Sequence, residues 1–203
     1  MKQIWVKQKR IIKPSKERYW LSHLGPTHVI KKNNFNVTIL FSSRDKYNIS
    51  RIGKFDYDLN KKKIIKNPNL YLDIDKLNKN ENLGVSYPFL INKGKKKILF
   101  YVGWSKNKFH FKNKLCFIDK KKLIRKKIKI KNTFGMGSNC VLKVGSYYYM
   151  WFTQFRKWTN NGFKFIPSYN IRFAKSRNLL DWKLEKKISI NFKSSKEIAI
   201  SKP

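Results

Sequence analysis

The sequence predicts an all-β fold: a β-propeller of four-stranded antiparallel blades, about three of which the chain supplies. Three observations predict it. Short apolar runs alternate with polar turns along the whole chain, helical periodicity is weak throughout, and one segment recurs at shifts of 51 and 59 residues.

The recurring segment runs from Gly84 to Trp104, GVSYPFLINKGKKKILFYVGW. Shifted by 51 it falls on Gly135 to Phe155, GMGSNCVLKVGSYYYMWFTQF. Gly84 meets Gly135, Gly94 meets Gly145, and Phe89-Leu90-Ile91 meets Cys140-Val141-Leu142. Ile98-Leu99-Phe100-Tyr101 meets Tyr149-Met150-Trp151-Phe152. Shifted back by 59 it falls on Gly25 to Ser43, with Gly84 on Gly25 and Ile98-Leu99-Phe100 on Ile39-Leu40-Phe41. All three copies align here without an internal gap.

Each copy is an apolar run, a polar turn and an aromatic or β-branched run, which is a hairpin signal. The turns are Lys32-Asn33-Asn34, Asn92-Lys93-Gly94 and Lys143-Val144-Gly145. Third strands follow at Ser50 to Phe55, Lys114 to Phe117 and Tyr169 to Ala174. More polar fourth strands are expected around Lys63 to Ile65, Leu123 to Ile130 and Trp182 to Ile190. Asn178-Leu179-Leu180-Asp181 reads as a turn. Four strands in 51 to 59 residues is the spacing of propeller blades; a plain sandwich predicts no such repeat. The blades fall at about 20–70, 80–130 and 131–192 of a single incomplete domain, 1–203, and 193–203 begins a fourth. A propeller closes on itself because open edges expose unpaired backbone, so further blades are expected from the same chain or another.

Net charge is +37, which invites a nucleic-acid reading. The basic residues are 40 Lys and 8 Arg, spread over the whole chain. Readers of bases and phosphates lean on the bidentate fork of Arg. The lysines therefore read as a solvated coat, with no specific nucleic-acid partner and only non-specific attraction to polyanions. Cys116 and Cys140 lie in apolar segments outside any metal-ligand spacing and read as buried thiols in a reducing, cytoplasmic setting. Met1 to Ile12 lacks the apolar core of a secretory signal, and no stretch approaches a membrane span. Dinucleotide, P-loop, zincin, serine-hydrolase and EF-hand motifs are absent, so no metal and no cofactor are expected.

Several phrases in order carry a family resemblance: Trp20-Leu21-Ser22-His23, Phe41-Ser42-Ser43-Arg44-Asp45, Ser50-Arg51-Ile52-Gly53, Gly84-Val85-Ser86, Phe100-Tyr101-Val102-Gly103-Trp104, Tyr149-Met150-Trp151-Phe152, Tyr169 to Ser176 and Glu197 to Pro203. From about Trp20 onward the chain resembles glycosyl-hydrolase-like five-bladed β-propeller proteins related to glycoside hydrolase families 43, 32 and 130. The resemblance implies a bacterial, hydrolase-like or phosphorylase-like protein acting on a carbohydrate, in surface-polysaccharide metabolism, glycosidase-like if the propeller is completed. The alternatives are a non-catalytic carbohydrate-binding or scaffold propeller, an inactive truncated fragment, and a basic module for anionic polymers.

The resemblance also implies acidic residues at the entries to the inner strands, with at least two carboxylates in different environments. Among 11 acidic residues the catalytic candidates are Glu197, Glu81 and Asp45. Glu197 precedes the fourth inner strand. Glu81 enters an inner strand, or is a solvated residue of the polar run Asn78 to Asn82. Asp45 with Arg44 recognises sugar hydroxyls, or forms a local turn pair. Asp56, Asp58, Asp73, Asp75, Asp119, Asp181 and Glu185 read as solvated surface. The substrate-binding candidates are His23, Arg44, Arg51, Asn82, Trp104 and Arg172. Asn82 stands where the family pattern has an acid, and an amide is no general base. Arg51 and Arg172 are either bidentate substrate partners or salt bridges between blades. His23 is alternatively a structural histidine. Trp104 and Trp158 offer stacking faces, whereas Trp151 and Trp182 read as core.

Overall fold

Alternating β-branched and aromatic residues give twelve strands and, among the described residues, no helix. The structure is a computed structural model describing residues 9–15, 17–106, 111–119, 124–131, 133, 135–160, 162, 165–201 and 203. The strands are β1 (His23–Lys31), β2 (Asn36–Arg44), β3 (Ser50–Asp58), β4 (Lys63–Leu72), β5 (Gly84–Lys93), β6 (Lys96–Lys106), β7 (Phe111–Asp119), β8 (Ile124–Lys127), β9 (Met136–Val144), β10 (Tyr147–Asn160), β11 (Phe165–Ser176) and β12 (Lys183–Leu184). They pair as three antiparallel meanders, β1-β2-β3-β4, β5-β6-β7-β8 and β9-β10-β11-β12. A single parallel bridge, Ser50 to Gly84, joins the first two into one sheet, and neither sheet closes.

The shift of 51 holds residue for residue. Phe89 lies opposite Phe100 as Cys140 lies opposite Trp151, and Gly94 and Gly145 turn their hairpins with the same φ of 57°. The shift of 59 holds for the second strand only. Val29 lies opposite Ile39 where Ile91 lies opposite Ile98, so the first strands correspond at a shift of 62. The first hairpin carries three more turn residues, held by Asn33 Oδ1, which accepts from the Phe35 and Asn36 amides at 2.9 and 2.7 Å. The expected match of Gly25 with Gly84 is therefore corrected.

The fourth strands vary most. β4 runs on to Leu72, β8 has four residues, and β12 has two, extended by a bridge between Ile171 and Ile190. The expected start at Leu123 lies outside the described residues, as do residues 1–8 and Lys202.

Adjacent strand residues face opposite ways, and in β2 and β6 both faces are covered. Leu40 and Leu99 meet in a layer between the first two meanders, with Ile52, Val85 and Tyr101. Phe100 and Phe117 meet Met150, Phe152 and Trp182 between the second and third. Phe41 and Phe55 are covered on the outer side by Trp20 and Leu21. Continuous apolar runs such as Ile98 to Tyr101 thus belong to strands buried on both sides. Full burial of each such side chain contributes about 1.5–3 kcal/mol. On the third meander's other face Tyr149 and Trp151 pack against Phe173, with ring centroids at 5.6 and 5.0 Å. Trp182 is core as expected; Trp151 instead lies on this outer face.

Candidate functional site

Two sets of ion pairs, one in each of the first two meanders, are joined by a hydrogen bond from Arg125 to the Asp73 carbonyl. The first begins in the turn after β2, where Asp45 Oδ1 accepts from the Tyr47 and Ile49 amides at 2.8 and 2.9 Å. The other oxygen accepts from Arg51 Nη1 at 2.7 Å, and Arg51 Nε donates to Asp73 at 2.8 Å. Asp45 and Arg51 are 5% and 7% exposed. Burial pushes the Asp45 carboxyl up, but the Arg51 guanidinium and the two amides outweigh it and hold it below the usual carboxylate range. Arg125 of β8 then donates to the carbonyl of Asp73 at 3.0 Å and to the Glu81 carboxylate. Glu81 is 0% exposed and also accepts from the Tyr101 hydroxyl at 2.5 Å. Burial and the nearby Glu81 charge push the Cys116 thiol up to about 12.

A cavity of about 180 Å³ lies between the second and third meanders. Trp104 at the end of β6, Tyr87 of β5 and Tyr169 of β11 line it, with the hydroxyl-bearing Ser138, Thr153 and Ser201. Trp104 Nε1 donates to Ser86 Oγ at 2.7 Å, which fixes the indole. Tyr87 sits at a register shift in β5 with φ 53°, a left-handed backbone uncommon for a bulky residue. The Ser42 hydroxyl accepts its amide at 2.8 Å. Burial and the neighbouring Tyr87 push the Tyr169 phenol up. No carboxylate lines this cavity among the described residues.

The structure distributes the predicted residues between these places and the surface. Asp45 and Arg51 meet, so the partner of Asp45 is Arg51 and not Arg44. Arg44 is exposed, opposite exposed His23 in register. Glu81 is not a solvated loop residue; it is sealed in the core. Asn82, beside it, is half-buried and its Oδ1 meets no hydrogen-bond donor. Arg172 donates to Gln154 Oε1 at 3.1 Å and to the Glu185 carbonyl at 2.9 Å, both within its own meander. Glu197 is exposed and accepts from the Lys193 amide at 2.6 Å. Trp104 alone of the predicted set lines the cavity. Trp158 is 39% exposed and packs against Phe155, away from it.

Of the acids expected on the solvated surface, Asp56 is buried and bound by Lys32, Asp73 pairs with Arg51, and Glu185 pairs with Lys175. Tyr87, Tyr169 and Arg125 join the cavity or the ion pairs without a local motif that marks them as site residues. Arg125 carried a signal, an arginine inside a lysine-rich run, of the kind that singled out Arg51 and Arg172. Among the described residues no group of three or more His, Cys, Asp or Glu stands close enough to hold a metal ion, and no helix is long and apolar enough to cross a membrane.

No protein-family model and no curated protein matches the chain. Solved structures do. A glycosyl hydrolase from Bacteroides ovatus superposes with a TM-score of 0.59 at 15% identity over 88% of this chain and 56% of its own. The chain shares its fold with propeller glycosidases. Cellvibrio cellulosa α-L-arabinanase gives a TM-score of 0.57 at 12% identity over 86% of this chain and 61% of its own. A structure from the GH130 family of mannoside phosphorylases, which contains glycoside hydrolases that target β-1,2 mannosidic linkages in Candida mannan, gives 0.59 at 14% identity over 87% and 56%. The likeness is one of fold, and the chain spans little more than half the length of these structures.

Proposed function

We propose that the chain is a glycoside-hydrolase-like protein that acts on a carbohydrate, with one sugar unit seated in the cavity between β5 and β9. The composition of that cavity carries the reading: three aromatic side chains, three hydroxyl-bearing residues and no charge. A sugar ring has an apolar face for an indole or phenol and a rim of hydroxyls for Ser, Thr and Tyr. At about 180 Å³ the cavity is smaller than the ~300–1,000 Å³ of drug-sized ligand sites and suits a single unit.

In the same reading the three meanders are blades at about 20–70, 80–130 and 131–192, and 193–203 leads into a fourth. The Ile200 amide donates to the Tyr169 carbonyl at 3.0 Å, which lays this last segment beside the cavity and supports the assignment. Glu197, two residues before Ala199 in the cavity wall, is the acid we place in the catalytic role. Glu81 and Asp45 act as scaffold ions, since Arg125 and the Tyr101 hydroxyl hold the oxygens of Glu81, and Arg51 with two backbone amides holds those of Asp45. One observation favours a second reading, a non-catalytic carbohydrate-binding protein: glycosidic cleavage needs two carboxylates, and none lines the cavity among the described residues.

Incubation with β-1,2-mannobiose and with an arabinan-derived oligosaccharide, with and without phosphate, separates the two. Released monosaccharide or sugar phosphate, lost in Trp104→Ala and in Glu197→Gln, supports the enzyme. Binding without product, lost in Trp104→Ala alone, supports the second reading. Neither product nor binding rejects both.

A further inference from the structure

A second and larger cavity, of about 500 Å³, opens between the first and second meanders toward their hairpin turns. Its walls carry five lysines, Lys31, Lys32, Lys54, Lys66 and Lys97, and a single carboxylate, Asp56. Asp56 is buried and already committed: its oxygens accept from Lys32 Nζ at 2.7 Å and Thr38 Oγ1 at 2.6 Å. Burial pushes its carboxyl up, but Lys32, Thr38 and the nearby Lys66 charge together hold it below the usual carboxylate range.

Five ammonium groups against one carboxylate leave four formal positive charges around one concavity. No salt bridge joins Lys54, Lys66 or Lys97 to a carboxylate among the described residues. Lys54 is half-buried in the middle of β3, with its ammonium 5.2 Å from the centre of the Tyr71 ring. Like charges gathered on low-dielectric walls repel one another and focus the field into the space between them. An anion in that space relieves the repulsion. Half-buried Ile30 and Leu90 also line the cleft and offer apolar surface to a carbon scaffold. The volume lies within the usual range for small-molecule sites, ~300–1,000 Å³.

We propose that this cleft binds a sugar-sized polyanion carrying at least two phosphate groups. The site is separate from the Trp104 cavity and does not depend on what that cavity binds. Each phosphate takes charge-assisted hydrogen bonds from two or more ammonium groups, and the ring between them lies against Ile30 and Leu90.

Fructose 1,6-bisphosphate serves as the probe, titrated calorimetrically into the full chain at 150 mM NaCl, where diffuse surface attraction is screened beyond about 8 Å. The expected result is saturable one-to-one binding, at least tenfold tighter than inorganic phosphate, with none for fructose. The double variant Lys54→Gln/Lys66→Gln should weaken it at least tenfold. The distant pair Lys186→Gln/Lys187→Gln, with the same change in net charge, should weaken it less than twofold. Lys97→Glu, at an exposed position, should weaken it at least fivefold and carries the test if the double variant does not fold. Equal weakening by the cleft and distant pairs, binding of many equivalents, or no binding at this salt would overturn the proposal.

Discussion

Arg125 of β8 donates to the carboxylate of Glu81, a residue that solvent does not reach and that lies just before β5. The pair ties the last strand of the second meander to the entrance of its first. Arg125 also reaches back to the Asp73 carbonyl, so the same side chain spans the joint between the first two meanders. Arg125→Met leaves the Glu81 charge buried with only the Tyr101 hydroxyl, and should destabilise the fold by about 3–5 kcal/mol in urea unfolding. Adding Glu81→Gln should recover a large part of that loss. If the double variant is as unstable as the single one, the pair is not what the Arg125 side chain contributes.

Gly103 has no room for a side chain. A Cβ there would stand 2.6 Å from the Asn80 carbonyl oxygen and 3.1 Å from Glu81 Cβ, so the 80–81 backbone would have to move. Gly103→Ala should cost about 1–3 kcal/mol, as overpacking does. Gly94→Ala meets nothing within 4 Å and pays only for its φ of 57°, about 1–2 kcal/mol. Chemical denaturation of both variants checks the magnitudes. Spectral changes in the Trp104 region should accompany the first alone.

Acid should destabilise the protein over two pH ranges. His28 packs on Phe89 at 4.3 Å, and burial lowers its pKa below 6.5 despite a raising contact with the Leu90 carbonyl. The unfolded chain therefore takes up this proton first, and stability falls as pH drops below about 6.5 toward the lower folded value. Asp45 and Asp56 follow the same sign below about 3.8, because their folded values are depressed as well. Urea midpoints from pH 8 to pH 3 should show both losses, and His28→Gln should remove the first.

Cys116 is buried, with its thiol pushed up to about 12. Iodoacetamide at pH 8 should leave it intact in the folded protein and label it on unfolding, while half-buried Cys140 labels first. Peptide mass mapping of the labelled chain decides this. As pH rises above about 9 the unfolded thiol ionises and the folded one does not, so stability should fall there.

Legibility in the sequence followed the turns. The second and third hairpins share a two-residue turn and a glycine at the same place, so their repeat survives residue by residue. The first hairpin is three residues longer, and its β1 is mostly polar or exposed, so the alignment through Gly25 slid without a strong apolar pattern to stop it. Glu81 reads as solvated because its neighbours are Asn and Lys; only the fold brings Tyr101 and Arg125 around it. Arg44 is adjacent to Asp45 in sequence but exposed, whereas buried Arg51 is the residue that the fold brings to it. Trp104 was legible as an aromatic at a strand end near a rim. Tyr87 was not, because its exposure to the cavity depends on a left-handed backbone at a register shift, which no residue pattern announces.

The central claim is that a sugar unit binds in the cavity of Trp104, Tyr87 and Tyr169. Its most direct test is a calorimetric titration of the chain with β-1,2-mannobiose and an arabinan-derived oligosaccharide, repeated with Trp104→Ala and with Trp158→Ala. The account predicts saturable binding of at least one sugar, weakened at least tenfold by Trp104→Ala and left within twofold by Trp158→Ala. Sugar binding that survives Trp104→Ala unchanged, or no binding of either sugar by the intact chain, would contradict it.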